Sequence, residues 1–168
     1  IERAAQLPAY QEAVLAWAPP IARHDPGPLG VFMGFDFHLG ETGPKLIEVN
    51  TNAGGAFLNA LLAKAQYVCC REFELALSRS NAQAFETTVA RMFANEWRLQ
   101  RPSGELRRIA IVDDDPQSQY LYPEFLLAQR LLIRHGVEAV VADARDLRYE
   151  QGQLTFNGQP VDLVYNRL

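Results

Sequence analysis

The chain has 168 residues, of which 48% are hydrophobic and 10% aromatic, enough apolar side chain for a packed core and against a disordered one. A formal net charge of −4, with arginines scattered among acids, gives no electrostatic footprint for a nucleic-acid backbone. No apolar run reaches the roughly 18–20 residues that span a bilayer, and the first ten lack the basic-then-apolar order of a secretory signal, so no membrane partner and a cytoplasmic location are expected.

The apolar spacing of Leu7, Tyr10, Val14 and Trp17 predicts a helix over 4–17, core-facing or lid-facing, stopped by Pro19 and Pro20. Two apolar-rich runs, 31–39 and 45–50, flank Gly40-Glu41-Thr42-Gly43-Pro44 and read as a hairpin with a loop of several residues. A small-residue turn over 51–56 leads into a stretch over 57–77 with no proline or glycine, the pattern of a long buried helix. The adjacent Cys69 and Cys70 fall within it, where helical geometry turns neighbours apart, so packed thiols are expected instead of a disulfide framework.

Ser80 or Asn81 is placed to cap a second helix whose Phe85, Val89, Met92, Phe93 and Trp97 recur at core spacing. Gln100-Arg101-Pro102-Ser103-Gly104 marks the boundary between lobes of 1–99 and 105–168. Beyond it a strand over 108–112, a helix over 120–134 closed by Gly136, and a strand over 137–141 form a strand–helix–strand unit that favours a parallel pair. Short strands around Glu150-Gln151-Gly152, a turn at Asn157-Gly158 and an apolar strand over 161–165 complete a small α/β layer. The chain starts at Ile1 and stops at Leu168 after that strand, and both ends read as cut.

The residues with the most chemistry lie in the hairpin. Glu48 and Asn50 are two apart on one strand, so both leave the same face while Ile47 and Val49 pack the other. If Leu39 opposes Lys45, Asp36 falls across from Glu48, giving two carboxylates and an amide oxygen on one surface. An all-oxygen set of this kind suits magnesium, which keeps several waters and completes its octahedron with substrate phosphates. His38 shares the face of Asp36 but reads best as structural, and His24 and His135 lack metal-ligand spacing. In Thr51-Asn52-Ala53-Gly54-Gly55-Ala56 the small side chains let backbone N–H groups approach a carboxylate or phosphate. A plain two-glycine turn explains the same residues. No Gly-Lys-Ser/Thr phosphate loop and no Gly-x-Gly-x-x-Gly pattern occurs.

Gly34-Phe35-Asp36 followed by Lys45-Leu46-Ile47-Glu48-Val49-Asn50-Thr51, together with Val164-Tyr165-Asn166-Arg167, resembles the eukaryotic-type glutathione synthetases over about residues 31–168, by pattern more than identity. The resemblance implies an α/β fold made of a partial ATP-grasp lobe, with hairpin and helices, and a Rossmann-like pre-ATP-grasp substrate domain. It also implies a carboxylate–amine ligase that phosphorylates an acid with ATP and lets an amine attack the acyl phosphate. On this resemblance Glu48 and Asn50 hold Mg²⁺, Asp36 supports that face, and Arg167 with Asn52 and the Gly54-Gly55 backbone holds a small-molecule acid or amine substrate. It further implies a possible homodimer.

The departures point to another substrate. Where the family places an arginine before the aspartate and two serines after the Glu-x-Asn strand, this chain has Gly34, Ala53 and Gly55, and Tyr120 and Glu124 stand where that family's substrate-binding amides fall. The lysines and glycine-rich lid that hold ATP in the family, and its last metal carboxylate, have no counterpart, so the chain reads as an inactive fragment of a ligase. A competing reading takes Ile109 to Pro116, with its Asp113-Asp114-Asp115, as the first strand of a phosphoacceptor receiver domain. The expected phosphorylated aspartate is then Asn166, which is no carboxylate nucleophile, and a solvated acidic loop that helps start the next helix is the simpler account. A binding module without enzymatic activity is a third reading.

Overall fold

A computed structural model describes residues 1–69 and 80–168 and shows a mixed α/β protein. The expected helix over 4–17 is two short ones, α1 (Glu2–Ala5) and α2 (Pro8–Leu15), because Pro8 has no N–H to donate into a continuing helix. It is not core-facing either. No residue of α2 is buried, and Trp17 is 78% exposed.

Strands β1 (Gly34–Gly40) and β2 (Gly43–Asn50) pair antiparallel, and the ladder runs to Gly40 opposite Gly43. The connection is therefore only Glu41-Thr42, shorter than expected, with Gly43 at φ +101°, a conformation that suits a residue without Cβ. Two long helices follow, α3 (Ala56–Cys69) and α4 (Ser80–Gln100). The rest of the expected helix over 57–77, and Cys70, lie outside the described residues.

A parallel sheet with the order β4-β3-β8 is built from β3 (Arg108–Asp113), β4 (Glu138–Asp143) and β8 (Leu163–Asn166). Helix α5 (Tyr122–Arg134) makes the crossover from β3 to β4. Between β4 and β8 the chain folds β5 (Leu147–Glu150), β6 (Gln153–Phe156) and β7 (Gln159–Pro160) into a small antiparallel sheet. Because β3 is followed on one side by β4 and on the other by β8, the connections leave the sheet in opposite directions at the β3/β8 boundary. In open α/β sheets such a switch point is where ligands commonly bind, outside the carboxyl ends of the strands.

The parallel sheet is covered on both faces. On one, Ile109, Ile111 and Tyr165 pack with Phe57 of α3, Val89 and Phe93 of α4, and Phe125, Leu131 and Leu132 of α5. On the other, Ala110, Val112 and Ala142 meet Val161, with Leu147, Leu154 and Phe156 of the small sheet against them. Full burial of a side chain such as Phe93 contributes roughly 1.5–3 kcal/mol. Phe93 meets Tyr165 edge-on at 5.2 Å, so the core runs across the expected boundary at 100–104 and joins both halves of the chain. That connection is held where Gly104, at φ +100°, sits against the Trp97 ring.

Candidate functional site

The hairpin register puts Asp36 across from Glu48, though not by the expected route. Leu39 faces Pro44, and His38 faces Lys45. The register then shifts between Asp36 and Phe37, so that Ile47 is the unpaired residue of a β-bulge. This bulge corrects the expected face assignment. Without it Leu46 would share a side with Glu48; with it Leu46 pairs with Phe37 and joins Phe35 and Val49 on one face, while Asp36, His38, Lys45, Glu48 and Asn50 line the other. Ile47 packs on neither and is 66% exposed.

Glu48 and Asn50 are in direct contact, the Asn50 Nδ2 donating to Glu48 Oε1 at 3.0 Å. All three oxygen-bearing side chains, Asp36 included, are exposed. Their donor set of two carboxylates and an amide fits a hard divalent cation that keeps part of its water shell, with Asn50 presenting Oδ1 after a half-turn of its amide. Among the described residues no group of three or more His, Cys, Asp and Glu converges to cage a metal.

The turn after β2 is packed down at both ends. Ala53 N–H donates to the Phe32 carbonyl at 3.2 Å, and the Phe32 ring lies 5.5 Å from Phe57 and 6.1 Å from Tyr165, which pins the hairpin base to the core. Gly34 fits closely there, since a Cβ would come 3.2 Å from Ala53 Cβ and 3.6 Å from Asn50 Cβ. Gly54 is tighter. Its Cβ would lie 2.7 Å from Leu121 Cδ1 and 3.0 Å from Arg167 Nη2. Gly55 has space but adopts φ +87°.

Arg167, just beyond β8, reaches this turn. Its Nη1 donates to Asn52 Oδ1 at 2.6 Å and lies 3.3 Å from the carbonyls of Asn52 and Ala53 and 3.4 Å from the Tyr165 hydroxyl. Asn52 Nδ2 returns a bond to the Asn166 carbonyl at 3.2 Å. The guanidinium carbon stands 5.4 Å from the centre of the Tyr165 ring, a cation–π arrangement. Arg167 Nε is buried with no hydrogen-bond partner among the described residues. Asn52, Gly54 and Arg167 are thus brought together, and because two residues span at most about 7 Å of extended chain, Asn52 stays close to Asn50. Nη1 is committed to the protein itself, so a grip on a substrate carboxylate through both terminal nitrogens would require it to leave Asn52. Burial pushes the Tyr165 hydroxyl up to about 12, against the opposing pull of Arg167.

Sequence reasoning missed the role of Glu124. Only 2% exposed, it accepts from Phe57 N–H at 3.1 Å and Leu58 N–H at 2.9 Å, closing the first turn of α3 from the first turn of α5. A signal exists in the sequence. The residues before α3 are glycines, which offer no capping side chain, so its first N–H groups need an acceptor from elsewhere.

At the strand ends, Asp143 accepts from Arg145 through backbone and side chain, at 2.8, 2.9 and 2.6 Å, and from Asp115 N–H at 3.0 Å. The Arg145 guanidinium holds the Asp143 carboxyl well below the usual carboxylate range. Asp115, at φ 40°, takes the Ser118 hydroxyl on Oδ2 at 2.8 Å and begins the one-turn 3₁₀ segment Pro116–Ser118. Asp113 accepts Asp114 N–H at 2.8 Å.

No protein-family model matches this chain, and no curated protein matches it. Among the described residues no helix is long and apolar enough to cross a membrane.

Proposed function

We propose that the chain is part of an ATP-dependent carboxylate–amine ligase, with a partial ATP-grasp lobe over 1–99 and a Rossmann-like substrate domain over 105–168. The observation that supports it is the closeness along the chain of two polar contacts, one in the hairpin and one at the turn that follows it. Asp36 pairs across from Glu48, Asn50 donates to Glu48, and two residues later Asn52 accepts from Arg167 just beyond the end of β8. Metal ligands and a carboxylate-binding cation must be neighbours in an enzyme that brings an acid to the γ-phosphate of ATP.

Glu48 and Asn50 would hold Mg²⁺, with Asp36 beside them, and the ion would neutralise phosphate charge at that face. The chain's own residues do the rest of the positioning. Arg167 Nη2, packed beside Gly54, is the donor left for a substrate carboxylate, and the glycine makes room for that guanidinium and for Leu121. Cytoplasmic location and a homodimer belong to the same proposal. With no ATP-holding lysines or lid in 1–168, catalysis would need more than these residues.

The test is magnesium-dependent ADP release by the complete product of the gene encoding this chain, offered pooled amino acids, short peptides and polyamines, beside its Glu48→Gln variant. Substrate-dependent release that the variant loses supports the ligase and the metal role. A folded protein that releases no ADP with any pool sinks the ligase reading in favour of a binding module.

A further inference from the structure

Glu124 is a buried acid with no part in the reading above, yet it sits at a junction. It lies in the first turn of α5, and its carboxylate receives the first free N–H groups of α3, so the positive ends of two helices meet on one side chain. Three residues earlier on the chain, Leu121 supports Gly54 from below. The segment 54–58 is therefore fastened at both ends to the start of α5, by Leu121 just before the helix packed at Gly54 and by two charge-assisted hydrogen bonds from Phe57 and Leu58 to Glu124. Immediately upstream lies Asn52, the residue that Arg167 grips.

We propose that Glu124 is a positioning residue for the candidate site: by clamping the first turn of α3 it fixes the 51–55 turn, and with it the end of β2 that carries Glu48 and Asn50, relative to Arg167. The inference rests on the ligase reading for what the site binds, but not for the geometry. The charge is part of the device. A glutamine at 124 keeps one acceptor oxygen and puts an NH₂ against the second backbone N–H, two donors face to face.

The experiment uses the 168-residue chain, ¹⁵N-labelled, with Mn²⁺ as a paramagnetic stand-in for Mg²⁺. Because Arg167 Nε is shielded from solvent, its N–H signal should be observable. In the wild type, Mn²⁺ is expected to broaden the amides of Asp36, Glu48 and Asn50 together with the Arg167 signal. In Glu124→Gln the hairpin amides should broaden as before while the relaxation enhancement at Arg167, which falls steeply with distance, is reduced. Equal broadening of Arg167 in both proteins overturns the proposal, since a clamp that only added stability would leave that distance alone.

If Mn²⁺ broadens no hairpin amide in the wild type, the metal assignment fails and Glu124 is judged without metal. The Asn52 side-chain amide and the Arg167 signal should then shift in Glu124→Gln, and Phe57 and Leu58 N–H should lose exchange protection. Unchanged signals overturn the proposal. Should Glu124→Gln fail to fold, Glu124→Asp, which keeps the charge but is one methylene shorter, is read by the same criteria.

Discussion

Arg167 Nη1 lies 2.6 Å from Asn52 Oδ1 although 115 positions separate the two residues. This contact ties the end of the parallel sheet to the turn after the polar hairpin. It also turns an arginine expected to hold substrate into one that first holds its own protein.

Arg167→Lys should therefore cost stability even with no ligand. An ammonium cannot place donors on Asn52 and lie over Tyr165 at once, and losing this exposed charge-assisted hydrogen bond costs about 0.5–1.5 kcal/mol. Urea unfolding of Arg167→Lys, Asn52→Ala and the double variant should give a coupling of about 0.5–3 kcal/mol. Additive effects would mean that the contact contributes nothing.

The two glycines of the turn should fail for different reasons. Gly54→Ala drives a methyl into Leu121 and Arg167, at a cost of about 1–3 kcal/mol, and Leu121→Ala in the same protein should recover part of it. Gly55→Ala meets nothing closer than 3.6 Å but forces a side chain onto φ +87°, about 1–2 kcal/mol that no neighbouring truncation recovers. Denaturant titration of the four proteins separates overlap from backbone strain.

Above pH 10 the fold should weaken through Tyr165. Its hydroxyl keeps its proton to about 12 in the folded protein, whereas the unfolded chain releases it near 10. The unfolded state then binds fewer protons between those values, so this contribution is complete below pH 10 and declines by about 2–3 kcal/mol as pH rises to 12. Thermal melts against Tyr165→Phe, which lacks the proton, should show the wild type losing ground across that window. Parallel curves would contradict the assignment.

Acid should release the lock at the end of β4. The Asp143 carboxyl is held down by Arg145, so its stabilising effect is present above the ordinary carboxylate range near pH 4 and fades as pH falls below it. The advantage of the wild type over Asp143→Asn in melting temperature should shrink below about pH 4. It should also shrink in high salt, because Arg145 is largely exposed.

What the sequence made legible was periodic or punctuated. The apolar runs of β3 and β4, the stripe of Val89, Phe93 and Trp97, and the glycine-marked turns all correspond to elements of the fold. The bulge at Ile47 was not legible, because Lys45-Leu46-Ile47-Glu48-Val49 has no glycine to mark an extra residue and alternates acceptably in either register. The break at Pro8 is a plain consequence of a missing donor that the expectation of a single helix over 4–17 passed over. Which apolar face finds a partner was not legible, since helical spacing at Leu7, Tyr10 and Trp17 states a preference and only the tertiary structure meets it. Glu124 escaped because its partners are backbone groups, which every residue carries and no letter distinguishes.

The clamp between Glu124 and the start of α3 spans 67 positions in the chain. Contacts so distant are closed late, after the loop entropy they cost has been offset by other structure. The β3–α5–β4 unit, joined by local connections, can condense first and carry Glu124 in its finished helix. Only when α3 docks on that surface do the turn and its grip on Arg167 come into being. An order of this kind predicts that the candidate site forms last, so that substitutions at Gly54 or Glu124 should speed unfolding far more than they slow folding, which stopped-flow kinetics of the variants would check.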